Sequence, residues 1–162
     1  MRLVLAALLA ATSAAAEVAA EVANGAAFGD WRVACTAETS ARTLCALAQT
    51  VIAREGGAFL AEIGLNPGEG GVVMVLRTPA GTLLPVQPAY RVGTGEARPL
   101  AWRTCAGDFC TAVRLLEPSE VDALRRGRSM VIGYHRAGED APVAFDVSLT
   151  GVTAGLAALG AR

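Results

Sequence analysis

Few residues of this chain are suited to catalysis. Among its 162 residues there is one histidine, His135, and serine or cysteine nucleophiles and zinc sites usually depend on histidine. His135 lies at the end of a predicted strand and next to Arg136, a position typical of a surface residue. We therefore predict no catalytic residue.

The carboxylates are scattered along the sequence. Asp122 fits a predicted helix as a capping residue, Asp146 lies on the polar side of a predicted strand, and Glu139-Asp140 falls in a predicted turn. Calcium needs clustered oxygen ligands, and no such loop is present in the sequence. Gly93-Thr94-Gly95 lacks the strand, third glycine and helix of a phosphate loop, so we interpret it as a turn. We predict no metal and no cofactor, and a carboxylate pair formed only on folding stays an alternative.

The four cysteines are best interpreted as disulfide-forming residues. They are Cys35, Cys45, Cys105 and Cys110, and spacing alone does not choose among the three possible pairings. None forms a Cys-x-x-Cys motif, which disfavours a thioredoxin-like redox role. Cys35 with Cys45, and Cys105 with Cys110, lie at the two ends of plausible hairpins, so we favour these disulfides. Loop-closure entropy predicts stabilisation by about 2.5 and about 2 kcal/mol.

The basic residues are all arginine, and the net charge of −1 argues against nucleic-acid binding. Four of them, Arg125, Arg126, Arg128 and Arg136, are candidates for a small basic patch. Such a patch would bind an anionic partner, for example lipopolysaccharide, a cell-wall polymer or an acidic protein surface. The alternative is that these cations interact with the C-terminal dipole of a helix, which is worth roughly 0.3–1 kcal/mol.

The N-terminus predicts export. Residues 1–16 combine Arg2, an apolar run over 3–11 and Ala14-Ala15-Ala16, as in a signal peptide cleaved near Ala16. Residues 17–27 are predicted to be a flexible lead-in, and residues 28–160 a single β domain. The mature chain has no apolar run long enough to span a membrane. We therefore expect a periplasmic, extracellular or cell-surface protein whose cysteines are oxidised.

The elements that would position these residues are mostly short strands. Trp31, Val33 and Cys35 share one face of a predicted strand, and Cys45 and Leu47 share an apolar face, which places the first disulfide in the core. Cys110 shares its face with Arg114, which predicts a second disulfide at the mouth of a surface hairpin. Val72 to Leu76 is apolar on both faces, as in a central strand covered on both sides.

The remaining segments add a loop and two short helices. Ser119 is the predicted N-cap of a helix that ends at Gly127, and Gly151 to Leu159 is a second helical segment. Tyr90 lies in a proline-rich stretch and is a candidate for an exposed contact residue. Eight or nine strands in total predict a mainly β protein: an antiparallel β-sandwich or partly open barrel with one or two short helices and two disulfides.

The order of several motifs resembles a known family. The motifs are Asp30-Trp31-Arg32-Val33-Ala34-Cys35, Leu44-Cys45-Ala46-Leu47-Ala48-Gln49, the pair Cys105 and Cys110, Val121-Asp122-Ala123-Leu124 with Gly127, and Val147-Ser148-Leu149-Thr150-Gly151. Together they resemble the invasion-associated locus B (IalB) family of exported alphaproteobacterial proteins, from about Phe28 to Leu159. The resemblance implies a β-sandwich-like periplasmic or cell-surface domain, implicated in host-cell invasion in pathogenic members. It implies no established catalytic residues and no cofactor.

These observations predict an exported, disulfide-stabilised, non-enzymatic binding protein whose partner is an unknown protein or envelope component. The absence of a nucleophile with a matching base favours this function over catalysis. Two alternatives stay open: a periplasmic hydrolase that uses carboxylates, and a carrier that holds a small ligand in the sheet interior.

Overall fold

The computed structural model describes residues 22–40 and 42–161, so the predicted signal peptide and residues 17–21 of the predicted lead-in lie outside the described residues. The strands are β1 (Ala27–Phe28), β2 (Trp31–Thr39), β3 (Arg42–Ile52), β4 (Phe59–Gly68), β5 (Gly71–Pro79), β6 (Ala89–Val92), β7 (Arg98–Pro99), β8 (Ala101–Ala106), β9 (Phe109–Leu115), β10 (Ser129–Tyr134) and β11 (Val143–Ser148). The helices are α1 (Pro118–Arg126), between β9 and β10, and α2 (Val152–Ala158), after β11.

The strands form two antiparallel sheets. The large sheet has seven strands in the order β1-β2-β3-β4-β5-β9-β8, and the small sheet has four in the order β11-β10-β6-β7. Neither sheet closes into a barrel within the described residues. The predicted mainly β, antiparallel fold with short helices is confirmed, in its two-sheet form. β5 is a central strand as predicted, but only one of its faces is buried, so the predicted cover on both sides is wrong.

One hydrophobic core connects the sheets and helices. The alternation predicted for β2 is correct, since Trp31 and Val33 are buried. The core also contains Leu47, Ile63, Leu65, Met74 and Leu76 of the large sheet, Tyr90, Met130, Ile132 and Val147 of the small sheet, and Leu124 and Leu156 of the helices. Side-chain hydrogen bonds cross between the sheets: the Trp31 indole donates to the Ser148 carbonyl at 2.8 Å, and the Tyr134 hydroxyl to the Leu60 carbonyl at 3.0 Å.

Both favoured disulfides form, and each joins residues directly opposite each other on adjacent strands. The predicted core position of the first disulfide was wrong. Cys35 and Cys45 are half-buried and lie outside the main core, because β2 and β3 continue beyond them as a long hairpin. The second disulfide closes the β8–β9 hairpin at the surface as predicted, through an exposed Cys105, but its other half is buried. Cys110 is only 1 % exposed, because its face of β9, shared with Arg114, is the inner one.

The start of α1 differs from the prediction. Its first residue is Pro118 and its N-cap is Glu117, whereas Ser119 lies inside the helix. Proline suits the first helical position because its missing N–H would have no partner within the helix. The Glu117 N–H donates a hydrogen bond of 2.8 Å to the carboxylate of Glu120, the third residue of the helix. Asp122 therefore caps nothing and lies 3.8 Å from Arg126 in an exposed ion pair.

The two ends of the described chain meet in the fold. The Asp30 N–H donates to the Thr150 carbonyl at 3.1 Å, so the β1–β2 turn contacts the β11–α2 turn. Gly151 has φ +101°, and a Cβ there would collide with the Phe28 carbonyl. Hydrogen bonding also reaches the predicted lead-in, because the Asn24 side chain accepts the Cys35 N–H at 3.0 Å.

Candidate functional site

A buried carboxylate joins α1 to both sheets. Glu120 is 7 % exposed, and its Oε1 accepts hydrogen bonds from the Tyr90 hydroxyl of β6 at 2.9 Å and from Arg114 Nε of β9 at 3.0 Å. Oε2 accepts Arg114 Nη2 at 3.1 Å and the Glu117 N–H at 2.8 Å. One side chain thus links a helix, the small sheet and the large sheet.

Beside this cluster is a surface cavity of about 230 Å³, lined by Tyr90, Val92, Gly95, Glu96, Arg98, Ser119, Glu120 and Ala123. Arg98, on β7, bridges two carboxylates at its edge. Its Nη2 lies 3.2 Å from Glu96 Oε2, and its Nε lies 3.7 Å from Glu120 Oε1. The cavity therefore contains two carboxylates, but cations neutralise both of them.

The electrostatics of the cluster hold each group in one protonation state. Burial acts to raise the pKa of Glu120, but hydrogen bonds from Arg114, the Glu117 N–H and Tyr90 outweigh it and lower that pKa. Burial, reinforced by the bond to Glu120, raises the pKa of the Tyr90 hydroxyl above 10. At neutral pH the cluster is an ionised carboxylate paired with a guanidinium. A carboxylic general acid needs a raised pKa, so the shift of Glu120 runs in the opposite direction.

Sequence reasoning missed this cluster. Tyr90 was a candidate for an exposed contact residue, yet it is 2 % exposed, because β6 pairs with β10 and its side chain enters the core. Two signals were present in the sequence. Pro118 at the first helical position places Glu120 at the third, where a capping-box carboxylate belongs. Arg114 shares its side of the strand pattern with the apolar Ala112 and Leu116. This indicates an arginine that faces the core and requires an acidic partner there.

The second notable surface is the outer face of the large sheet, the face turned away from the small sheet. A row of opposed residues crosses it: Arg32, Ala48, Gly64, Val75, Val113 and Ala101. Its interior members are small or β-branched and apolar. On either side, Leu44 is 45 % and Leu115 58 % exposed. A groove of about 270 Å³ runs over Ala46, Ala48 and Gly64.

The charges in the middle of the outer face are paired with each other. Glu62 and Arg77 are opposite residues on β4 and β5, and Arg77 Nη1 lies 3.0 Å from Glu62 Oε1. The Arg77 guanidinium also lies over the Phe109 ring, 4.5 Å from its centroid. The ring contact and the ion pair both restrain Arg77, so the outer face presents a fixed pair of opposite charges, flanked in register by Thr50 and Thr111.

Comparison with known proteins identifies the family. Residues 31–160 match the family described as invasion associated locus B (IalB) protein. The chain belongs to the IalB family. The resemblance predicted from the motifs is thereby confirmed, and the match covers both disulfides, Glu120 and the outer face of the large sheet.

A solved IalB structure has the same fold. The crystal structure of invasion associated protein b from Bartonella henselae matches this chain with a TM-score of 0.72 and 20 % identity, covering 84 % of this chain and 94 % of that one. No match is found among curated proteins.

Three of the arginines predicted as an anionic-partner patch cluster in this IalB protein. Arg125 and Arg126 occupy the last turn of α1, and Arg128 follows shortly after. Arg125 Nη2 donates to the Ala161 carbonyl at 3.0 Å, and Arg126 pairs with Asp122, whereas Arg128 is exposed. Arg136 lies beyond the opposite end of β10, 3.6 Å from Glu139, so the structure separates it from the other three.

The described part of this IalB protein has neither a grouped set of metal ligands nor a membrane-spanning helix. Within residues 22–40 and 42–161, no three His, Cys, Asp or Glu side chains are grouped to hold a metal ion. No helix in the described ranges has the length and apolar character needed to cross a membrane. His135 follows β10, and its carbonyl accepts the Leu83 N–H at 2.8 Å.

Proposed function

We infer that this IalB protein is an exported, non-enzymatic interaction protein of the bacterial periplasm or cell surface. Family membership, two disulfides and the predicted signal peptide support export, because disulfides persist in oxidising compartments. The observation that carries the interaction function is the outer face of the large sheet. A role in host contact stays a prediction.

The outer face differs from an ordinary solvated sheet surface. An antiparallel sheet with one wet face normally alternates apolar and polar residues along each strand. β5 instead places Val73 and Val75 outward, and β9 adds Val113 and the exposed Leu115. A polar row of Thr50, Glu62, Arg77 and Thr111 borders these apolar residues, and an exposed apolar patch with a polar rim marks interaction sites in proteins. Helix α2 does not cover the outer face, because it packs on the inner face, where Gly155 lies against Leu47.

The two alternatives have weaker support. Glu96 and Glu120 share a cavity, as a carboxylate hydrolase would require, but hydrogen bonds lower the pKa of Glu120 and Arg98 lies between the acids. A small-ligand carrier would need space between the sheets. That space is filled by fully buried side chains such as Leu47, Ile63 and Met130.

Site-specific photo-crosslinking in cells tests the interaction function. Ordinary amine-reactive reagents suit this chain poorly, because it contains no lysine. We would place a photoactivatable residue at Leu115, which is 58 % exposed on the outer face, and at Leu84, which is 46 % exposed in a loop, as the matched control. We expect covalent adducts at position 115 that are absent at position 84, with the attached molecule identified by mass spectrometry. Equal labelling at both positions would contradict an interface on the outer face.

The arginine cluster at the end of α1 stays a second predicted contact surface. Arg126 and Arg128 extend from the surface, whereas Arg125 is held by the Ala161 carbonyl. If they bind an anionic envelope polymer, Arg126→Gln with Arg128→Gln will reduce sedimentation of the purified protein with lipopolysaccharide or cell-wall material. Replacing Arg136 with Gln at the far end of β10 is the control, and equal losses in both variants would argue against a local patch.

A further inference from the structure

We propose that the outer face of the large sheet binds a second copy of this chain, forming a two-fold symmetric dimer through sheet-on-sheet packing. This inference rests on the proposed interaction function and names its partner. Three properties of the face support it: low relief, self-complementary charge and sufficient area.

Low relief along the row through Gly64 and Val75 permits two sheets to approach there, whereas the adjacent row carries the longer side chains of Glu62 and Arg77. Stacked sheets lie about 10 Å apart, which leaves little room for long side chains between them. The row across the outer face supplies Ala48, Gly64, Val75 and Val113, four register neighbours without a long side chain. The groove over Ala46 and Gly64 is a depression that an opposing side chain can enter, and the exposed Leu44 lies at its edge.

The charge of the face is self-complementary. It has one acid and one base at its centre, Glu62 and Arg77, held 3.0 Å apart on neighbouring strands. A two-fold axis brings the same patch of both copies together, so the acid of one copy can approach the base of the other. A partner of a single charge sign would leave either Glu62 or Arg77 opposite a like charge, which disfavours association.

The available area fits a reversible dimer. From β2 to β8 the row crosses five strand spacings, which is about 24 Å at 4.8 Å each. Three successive outward-facing residues along each strand occupy about 20 Å. The area of this part of the face is therefore roughly 500 Å² per copy, and a pair of copies would bury roughly 1,000 Å². This is the lower limit for a specific protein interface. We therefore expect a weak, reversible dimer rather than a permanent one.

Analytical ultracentrifugation of the purified, oxidised protein tests the proposal from about 1 µM to about 1 mM. We expect a concentration-dependent monomer–dimer equilibrium. Leu115→Glu introduces an unpaired charge into the interface and should weaken dimerisation at least about tenfold. Leu84→Glu introduces the same charge at a similarly exposed site outside the face and should leave the equilibrium unchanged. A wild-type protein that is monomeric throughout, or equal effects of both variants, would overturn the proposal.

A charge exchange provides a second test. Glu62→Arg alone gives each face two like charges and should weaken the dimer, whereas Glu62→Arg combined with Arg77→Glu restores one charge of each sign and should recover it. Failure of the double variant to recover dimerisation would count against the symmetric arrangement. If Leu115 crosslinks to another protein in cells while the purified chain stays monomeric, the interaction function stands and the homodimer does not.

Discussion

Glu120 shows how one residue can bring together distant parts of this chain. Its carboxylate accepts hydrogen bonds from Tyr90 and Arg114, which belong to different sheets, and from the N-cap of its own helix. Removing a carboxylate from water is unfavourable, and only a complete set of donors compensates for it. The cluster therefore stabilises one relative position of α1 and the two sheets, and its loss would affect all three.

Replacing Glu120 with Gln should destabilise the protein at neutral pH by about 3 kcal/mol, because Arg114 loses its anionic partner. The pH dependence gives a sharper test. The pKa of Glu120 is lower in the folded protein than its ordinary value of 4.5. Its contribution to stability is therefore complete above that value and is lost as the pH falls through the folded pKa. Urea unfolding from about pH 7 to about pH 3 should show a smaller acid-induced loss in the variant.

The matched control is Asp122→Asn, on the same helix. Asp122 forms only an exposed ion pair with Arg126, at 3.8 Å, so we expect an effect below about 1 kcal/mol at any pH. If Glu120→Gln retained the full acid-induced loss of the wild type, the hydrogen bonds to the carboxylate would not be responsible for its lowered pKa.

At this scale the sequence predicted local pairings and missed distant ones. Both disulfides follow from hairpins of 10 and 5 residues, in which the partners are close along the chain. The bond from Tyr90 to Glu120 joins residues 30 positions apart on different elements. No local pattern reports such a distance, although an arginine in an apolar row and a proline at a helix start each indicated part of the cluster.

The disulfides act on single hairpins of the large sheet. Cys35–Cys45 closes the longer loop and should stabilise more, about 2.5 kcal/mol against about 2 kcal/mol for Cys105–Cys110. We expect the double serine replacement of the first pair to lower the free energy of unfolding more than that of the second, measured by urea denaturation. The burial of Cys110 opposes this order, so a larger loss at the second pair would show that packing outweighs loop entropy there.

The β11–α2 turn depends on Gly151. Its φ of +101° disfavours any other residue, and an added Cβ would collide with the Phe28 carbonyl. We expect Gly151→Ala to destabilise the protein by on the order of 3 kcal/mol in urea unfolding.

Gly138→Ala, in another turn, separates the effect of positive φ at Gly151 from the effect of the collision with Phe28. Gly138 also has positive φ, +82°, but its Cβ would meet open space, so only the backbone term of about 1 kcal/mol applies. Equal losses at Gly138 and Gly151 would mean that the contact between the turns contributes nothing to stability.

Element types were easier to predict than their limits. Alternating residues in β2 and the two-sided apolar pattern of β5 correctly indicated strands. The polar composition of the stretch after Cys35 is typical of a loop, yet β2 continues to Thr39. Its backbone is paired with β3 there, and polarity alone does not distinguish an exposed hairpin from a loop.

For the whole molecule, the sequence indicated an antiparallel β-sandwich or partly open barrel but not which strands pair with each other. β5 pairs with β9 and β6 pairs with β10, so the chain leaves the large sheet and returns to it. Leu100, fully buried, lies between β7 and β8 where this return takes place. Such pairings depend on long-range burial, which a strand pattern does not specify.

Export makes a prediction about the mature protein. If residues 1–16 are a cleaved signal peptide, the secreted chain begins at Glu17. Intact mass spectrometry of the secreted protein should give the mass of residues 17–162 with both disulfides closed, and thiol titration without reductant should detect no free cysteine. Retention of residues 1–16 in the secreted fraction would contradict cleavage while leaving the β domain unaffected.

The final helix of the fold packs against its first strands. α2 contacts β1, β2 and β3, and Gly155 lies close enough to Leu47 that an added Cβ would overlap its side chain. Ribosomes build polypeptides from the amino end, so Leu47 lacks this cover until α2, far along the chain from β3, has been released. Until then the nascent protein has an apolar surface open, a period in which binding by a chaperone would prevent aggregation.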